Sequence, residues 1–583
     1  MRKILLICIL WLLWALPAQA EPAQYQVEIT APVPLKDLLK KHLDMVKWRD
    51  NPRMSPAEWK RLFSLAQQNI KDLIATEGYF AAKIYQTLES QNGTYIAKFV
   101  VEAGAPVLVS DVALSFTGDI STQAADAKPN AEKLRESWFL QKGAPFRQES
   151  WNQAKRKLLT EFLVERYPNA SISNSKAEVN LETQTITLTV EVNSGNAIRF
   201  GDTTIIGLER YRSKVVENLN PIKPGDIYNQ SDLVTFQTRL QESGYFQTVE
   251  VTADTLNSTN SAEPNIAPIK VKVIENRSIK MGIGAGYSTN TGPRLQLSVE
   301  HLNLFNKGWK LSSNLKLENN AQVLTSEIHL PTTKSGYRDS INANASHTLV
   351  EGLDLTVARA GVKRAWGDRK REQYVSANLL TESSEVEGAS SDDSTYAATL
   401  GYGIILRRTD NDLSPTRGYL LNVQFTGAPF TSTDNGSFLQ SHVKTQAYYP
   451  ITSSTQLIAR AEVGMVNGKN SAPELYLFRA GGDQSVRGYA YQSLGVTEGD
   501  AIVGGRYIAT GSVEVVQWLT SQWGAAVFVD AGNAGNSLQD LSPVYGYGLG
   551  ARWKSPLGPI GADIAYGEST GEYRFHFNIG VAF

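Results

Sequence analysis

From about residue 279 to the last residue, apolar and polar side chains alternate; before that point, apolar residues at helical spacing are broken by short alternating runs. Alternation sends successive side chains to opposite faces of a strand, whereas helical spacing collects them on one stripe. Over residues 310–318, Leu311, Leu315 and Leu317 interleave with Lys310, Ser312, Asn314, Lys316 and Glu318. Over residues 545–554, Tyr545, Tyr547, Leu549, Ala551 and Trp553 oppose Gly546, Gly548, Gly550, Arg552 and Lys554. The final run is the most regular: Tyr573, Phe575, Phe577, Ile579, Val581 and Phe583 share one face, with Arg574, His576, Asn578 and Gly580 on the other. One face suits lipid and the other a wet or crowded lumen, and a terminal aromatic on such a strand is the usual closing arrangement of outer-membrane barrels. At about 10 residues per tilted strand and as much loop, residues 278–583 predict a transmembrane antiparallel β-barrel of about 16 strands. A soluble β-sandwich is the competing architecture.

The preceding region is built of repeats. Gly78-Tyr79-Phe80 recurs as Gly244-Tyr245-Phe246, with Arg166-Tyr167-Pro168 in the corresponding place between them. Each is followed by a strand ending near a glutamate, and these glutamates, Glu102, Glu191 and Glu275, stand 89 and 84 residues apart. In the third repeat the pattern predicts a strand (198–206), two helices (210–219 and 230–243) and two strands (247–253 and 269–275). That is a βααββ unit, in which Leu233, Phe236 and Leu240 cover one face of a small sheet. Three α+β modules are therefore expected over residues 21–105, 106–194 and 195–277. The pattern by itself would also suit generic modules of no defined role.

Targeting and composition narrow the class. Arg2 and Lys3 precede an apolar run over residues 4–16, followed by Ala18 and Ala20. This is the form of a secretory signal peptide, expected over residues 1–20 with cleavage before Glu21; roughly 20 apolar residues would be needed to span a bilayer. The single cysteine, Cys8, lies inside that run, so the mature chain is expected to lack disulfides. Mean hydropathy of −0.26 and the shortness of later apolar runs exclude a helical membrane protein but not a barrel, whose strands average to mild polarity. With 57 basic against 58 acidic residues, nothing favours nucleic acid as a partner. The six histidines show no metal spacing and no nucleophile has a placed base, so neither a cofactor, a metal nor an enzymatic activity is expected.

One segment is not a strand. In residues 478–489 the adjacent glycines Gly481 and Gly482 permit a tight fold, and Val486-Arg487-Gly488-Tyr489 follows. A cation inside a barrel needs a partner, because breaking a buried ion pair costs about 3–5 kcal/mol. Phe528 and Asp530, in Phe528-Val529-Asp530-Ala531-Gly532, and Glu514 all fall on the face opposite their apolar neighbours and would point inward. Asp483, Glu300 and Asp563 read as solvated lumen or loop charges.

At this point the chain resembles the BamA/TamA surface-antigen superfamily over its whole mature length, through Val486-Arg487-Gly488-Tyr489, through the Phe528 to Gly532 motif, and more weakly through residues 412–419 and 303–308. Within it, three modules match the translocation-and-assembly-module members, where the BamA type would carry five and a two-partner secretion transporter two. The resemblance implies that the modules are POTRA domains, that Arg487 on an inward-folded extracellular loop contacts Asp530 and Phe528 with Glu514 nearby, and that the protein assists insertion or secretion of autotransporter and other β-barrel clients. It implies a weak seam between a first strand over about residues 280–287 and the last, which cysteines at Gly284 and Asn578 would lock if those two positions face each other. Its implied partners are a TamB-like inner-membrane-anchored periplasmic protein, unfolded clients and outer-membrane lipid. A two-partner-secretion-type pore and phospholipid transport with that partner are the alternatives. Loop pinning is expected of the arginine motif, with participation in gating as the other reading.

Overall fold

The computed structural model describes residues 24–91, 93–122, 128–256, 265–389, 392–432, 436–468, 472–555 and 558–579. The expected signal peptide, Gly580 and Phe583 lie outside the described residues. Two compact units divide the chain: residues 1–204 with 222–235 and 251–270, and residues 205–221 with 236–250 and 271–583.

Three modules share one topology. The first contains β1 (Gln24–Thr30), α1 (Val33–His42), α2 (Asp44–Trp48), α3 (Pro56–Ala75), β2 (Lys83–Gln91) and β3 (Thr94–Glu102). The second contains β4 (Leu108–Thr117), α4 (Ala131–Glu136), α5 (Gln148–Val164), β5 (Ser171–Asn180) and β6 (Thr185–Asn193). The third contains β7 (Arg199–Ile206), α6 (Lys214–Glu217), α7 (Gln230–Glu242), β8 (Phe246–Ala253) and β9 (Ile266–Glu275). In each sheet the last strand is central, giving the orders β1-β3-β2, β4-β6-β5 and β7-β9-β8. α3 shows why the pattern folds: Ser55 caps it by accepting the Glu58 N–H, Pro56 opens it, and Trp59, Leu62, Ala66, Ile70 and Ile74 form its buried stripe.

The repeated Gly/Arg-Tyr pairs are junctions. Gly78, Arg166 and Gly244 all adopt positive φ, of 91°, 72° and 74°. The first two carbonyls accept an N–H from the start of the next module, Val107 to Gly78 and Ile198 to Arg166. At the third, Asn276 donates its backbone N–H to Tyr245 and its side-chain amide to Gly244. A left-handed turn here re-aims each carbonyl, so one short motif is reused at every hand-over.

The first helix of the third module is shorter than its spacing predicts, beginning at Lys214 rather than near residue 210. The physical reason is Glu275, whose carboxylate accepts the backbone N–H groups of Glu209, Arg210 and Tyr211 and pairs with the Arg210 side chain at 2.8 Å. Those amides hold a carboxylate-centred turn instead of opening a helix. Burial works to raise the Glu275 pKa, but these bonds prevail and hold it below the ordinary carboxylate range. A depressed pKa means the stabilisation is complete at neutral pH and is lost only as acid protonates the group.

This turn meets the barrel. Asn303 accepts the Gly308 N–H at 2.8 Å and donates to the Arg210 carbonyl at 3.3 Å. Tyr245 donates to the Gly308 carbonyl at 2.6 Å, and Lys310 donates to the Ser243 carbonyl at 2.8 Å. The motif over residues 303–308 is thus the turn on which the third module is seated. Glu275→Ala is expected to speed tryptic cleavage after Arg210 and Arg212 severalfold at neutral pH; an unchanged cleavage rate would show that the carboxylate does not hold the turn.

The barrel strands are β10 (Ile279–Ser288), β11 (Gly292–Leu304), β12 (Trp309–Glu318), β13 (Ala321–His329), β14 (Arg338–Val350), β15 (Leu353–Gly367), β16 (Arg371–Val386), β17 (Asp392–Thr409), β18 (Gly418–Ala428), β19 (Phe438–Pro450) and β20 (Thr455–Asn467). A long loop carrying the short hairpin β21 (Val496–Glu498) and β22 (Ala501–Val503) follows. Then come β23 (Tyr507–Trp518), β24 (Trp523–Gly535), β25 (Val544–Ser555), β26 (Gly558–Gly567) and β27 (Glu572–Ile579). Antiparallel ladders join them in chain order into a 16-stranded sheet from β10 to β27. Its outward faces are apolar and aromatic, as the alternation predicts: Tyr573 and Phe575 are exposed, and Trp523 stacks on Trp553 at 5.3 Å. Among the described residues no helix is long and apolar enough to cross a membrane.

The sheet curls into a nearly closed barrel. Among the described residues no ladder joins β10 to β27. The Phe577 N–H reaches the hydroxyl of Thr289, just past β10, at 3.3 Å. An antiparallel continuation from that contact brings Asn578 opposite the neighbourhood of Ser288. Gly284 lies further down β10, so in that register the condition for a Gly284–Asn578 lock is not met. The long loop fills the upper lumen, where Phe478 and Ala480 pack with Leu353, Leu380, Phe438 and Val466.

Candidate functional site: the arginine loop and the barrel seam

The loop turns inward at Gly481 and Gly482, with φ of 106° and 95°, conformations that other residues resist. It then lays Arg487 against the wall formed by β23, β24 and β26. Arg487 is 2% exposed and Asp530 fully buried; Glu514 and Asp563 are each 6% exposed. The guanidinium holds Asp530 with two bonds, Nε at 2.7 Å and Nη2 at 2.9 Å, and the Arg487 backbone N–H adds a third at 3.0 Å. Nη1 donates to Glu514 at 2.8 Å and to Asp563 at 3.0 Å. The guanidinium carbon sits 3.3 Å from the centroid of the Phe528 ring, so an aromatic face covers the remaining side of the planar cation. Arginine suits this place because its rigid fork serves several carboxylates at once, which a lysine ammonium cannot reproduce.

Three acids around one cation would leave excess negative charge. Arg552 of β25 balances it, donating to Glu514 at 2.8 and 2.7 Å and to Asp563 at 2.5 and 3.2 Å. Arg460 of β20 closes the other side, bonded to Ser512 at 3.1 Å and to the Asp483 carbonyl at 3.2 Å, with Asp530 4.0 Å away. The result is a cluster of three arginines and three carboxylates drawn from the loop and five strands.

Past Arg487 the loop is gripped again. The Gly488 N–H donates to Nε2 of His576, on β27, at 3.0 Å. Tyr489 is buried; its hydroxyl donates to the Tyr545 carbonyl at 3.1 Å and accepts the Ser569 N–H at 3.1 Å. The loop backbone runs so close to β25 that a methyl placed on Gly546 would lie 1.9 Å from the Arg487 carbonyl oxygen. Gly546, on the inward face of β25, is therefore the bed of the loop, while Gly548 and Gly550 on the same face leave room for Phe528 and Asp563.

The structure brings Arg487, Phe528, Asp530 and Glu514 together, and places Val486, Gly488, Tyr489, Gly481 and Gly482 along the same loop. Gly532 stands on the same wall strand, pressed against Ala509 and Thr510 of β23. Tyr573, Phe575 and Phe577 lie on β27. Asp563 is corrected: it is an ion-pair partner of two arginines rather than a solvated charge. Asp483 bonds Asn290 at 2.7 Å, while Glu300 remains half exposed beside Lys280, as expected. Arg552, Arg460 and His576 went unassigned in the sequence. Each is a polar residue on the inward side of an alternating strand, which is the signal that could have found them.

A curled sheet of sixteen strands with an apolar outer face, carrying N-terminal modules and an ion-paired loop folded into its lumen, defines an outer-membrane β-barrel with periplasmic modules. A family model for the Omp85 superfamily domain matches residues 277–583, and one for the POTRA surface-antigen repeat matches residues 198–276. The chain belongs to the Omp85 superfamily. It is 24% identical to the outer membrane protein assembly factor BamA of Neisseria meningitidis over 89% of this chain and 73% of that protein. It is also 24% identical to the BamA of Nitratidesulfovibrio vulgaris over 74% of this chain and 57% of that protein. In fold it is similar to the crystal structure of BamA from Haemophilus ducreyi lacking POTRA domains 1–3, with a TM-score of 0.67 and 17% identity over 82% of this chain and all of that one.

Proposed function

We propose that this protein is an outer-membrane assembly and translocation factor of the TamA type, which admits client β-strands at the seam between β10 and β27. The observation that carries the reading is the state of β10. It is laddered to β11 alone among the described residues, and Ile279 to Tyr287 are exposed on both faces, with Gly282, Gly284 and Gly286 leaving the lumen side bare. A strand with one ladder and few side-chain contacts opens locally at low cost. Backbone groups left unpaired in hydrocarbon each cost several kcal/mol until a partner strand supplies the missing bonds, which makes an opened edge a template for β-augmentation.

The three-module count supports the TamA type, and the module sheets, each with exposed edge strands, suit guidance of unfolded clients and docking of a TamB-like partner. The arginine cluster holds the loop so that the lumen stays plugged while the seam works. Reconstitution tests the proposal. Vesicles containing this protein should take up an unfolded autotransporter barrel, scored by protease-protected folded product, on the order of tenfold faster than vesicles holding a porin, a change equivalent to about 1.4 kcal/mol in barrier. Equal rates in the two preparations would overturn the reading, and export of a soluble client without barrel insertion would favour the two-partner-secretion alternative.

A further inference from the structure

The loop that carries Arg487 touches both flanks of the seam. On the last-strand side it is held many times over: Arg487 to Asp563 on β26, Gly488 to His576 on β27, and Tyr489 to Ser569 in the turn between them. On the first-strand side the grip, among the described residues, is a single side-chain bond. Asn290, in the turn joining β10 to β11, donates through Nδ2 to Oδ1 of Asp483 at 2.7 Å. The approach is close, since a methyl placed on Gly482 would come within 3.4 Å of the Asn290 side-chain oxygen. Asp483 is itself fixed from the loop side, its carbonyl accepting from Arg460 at 3.2 Å. Only four residues separate Asp483 from Gly488, so the segment acts as a short strap laid across the inside of the seam.

We propose that Asn290 and Asp483 form the releasable latch of the seam: the loop stays with β26 and β27, and opening begins by breaking this bond and freeing the β10–β11 hairpin. The asymmetry follows from the number and kind of contacts. Separating the loop from the last strands would expose a buried arginine and its carboxylates together, whereas separating it from the first hairpin breaks one charge-assisted bond whose two partners can both find water. The Thr289–Phe577 contact lies one residue from the latch, so once Asn290 is released that contact alone, among the described residues, joins the two end strands. Asn290 and Asp483 are in this sense positioning residues for the seam.

The latch rests on the reading of the seam as the working element, and its test uses no client, so that the two can fail separately. The full-length protein in lipid nanodiscs, in a Cys8→Ser background, carries spin labels at Tyr287 and Tyr573, both exposed on the outer face. Pulsed dipolar spectroscopy reads the distance between them, and a second pair at Gln484 and Tyr573 reports whether the loop stays with β27. Asn290→Asp, which sets two carboxylates against each other, should raise the longer-distance fraction of the first pair on the order of tenfold, as loss of one charge-assisted bond implies, and leave the second pair unchanged. Adding Asp483→Asn restores an amide–carboxylate pair with the roles exchanged and should return the first distribution to that of the parent. An unaltered first distribution in Asn290→Asp, a shift of the second pair, or failure of the exchanged pair to restore it would each overturn the latch. Normal latch behaviour in a protein that does not speed client insertion would overturn the proposed function and leave the latch standing.

Discussion

Arg487→Ala is expected to lower the stability of the folded barrel by about 3–5 kcal/mol, the usual consequence of leaving a buried charge without its partner. The charge stranded is that of Asp530. Glu514 and Asp563 retain Arg552, but Asp530 loses both guanidinium hydrogen bonds and keeps only the backbone N–H of residue 487 and Arg460 at 4.0 Å. Urea unfolding in detergent micelles measures the loss, and the gel mobility of unheated samples should shift toward the unfolded form. Arg487→Lys should recover only part of the loss, since an ammonium cannot span Asp530, Glu514 and Asp563 together. The double variant Arg487→Ala, Asp530→Ala should be more stable than the single arginine variant, because the stranded charge is gone. If Arg487→Ala unfolded at the parent's urea concentration, the cluster would not be what docks the loop.

The second large effect is functional. With Thr289→Cys and Phe577→Cys in a Cys8→Ser background, oxidation should join the ends of the sheet where the Phe577 N–H meets Thr289, and a Ser288→Cys, Phe577→Cys pair covers a one-residue offset. The oxidised protein should insert an autotransporter barrel into vesicles on the order of tenfold more slowly than the same protein after reduction, because the free β10 edge can no longer receive a client strand. Barrel stability should not fall, since the bond removes freedom without removing a contact. Equal insertion rates before and after reduction, with cross-linking complete, would show that clients do not pass through this seam.

The two experiments address different parts of one arrangement. Losing Arg487 frees the loop and is read first as stability; locking the seam leaves the loop in place and is read as activity alone. A variant affecting both equally would mean that loop docking and seam opening are one event. The latch at Asn290 predicts that they are separate.

Much of this was legible in the residues themselves. Strand alternation is a local property, set by the two-residue repeat of the extended chain, so the barrel, its strand number and the lipid-facing set Tyr573, Phe575 and Phe577 follow from the linear pattern. The module repeat was legible for the same reason: Gly78, Arg166 and Gly244 mark turns whose backbone conformation is decided within a few residues. Arg487, Phe528, Asp530 and Glu514 stood out because charge or glycine interrupts an apolar rhythm there. What a linear pattern cannot carry is which interruptions converge. Asp563, Arg552 and His576 each looked like one inward polar residue among many, and only the curl of the sheet, which sets β23 to β27 around the folded loop, makes them neighbours of one guanidinium. Residues 209–211 likewise bond a glutamate 64 or more positions away, overriding the local preference for helix. By itself the sequence determined the elements, the faces they present and the need of a buried cation for an acid. The tertiary structure decided which acids, how the charges balance, and that the strap across the seam is anchored strongly on one side and, among the described residues, by a single hydrogen bond on the other, because those depend on distances between strands that the chain reaches only by closing on itself.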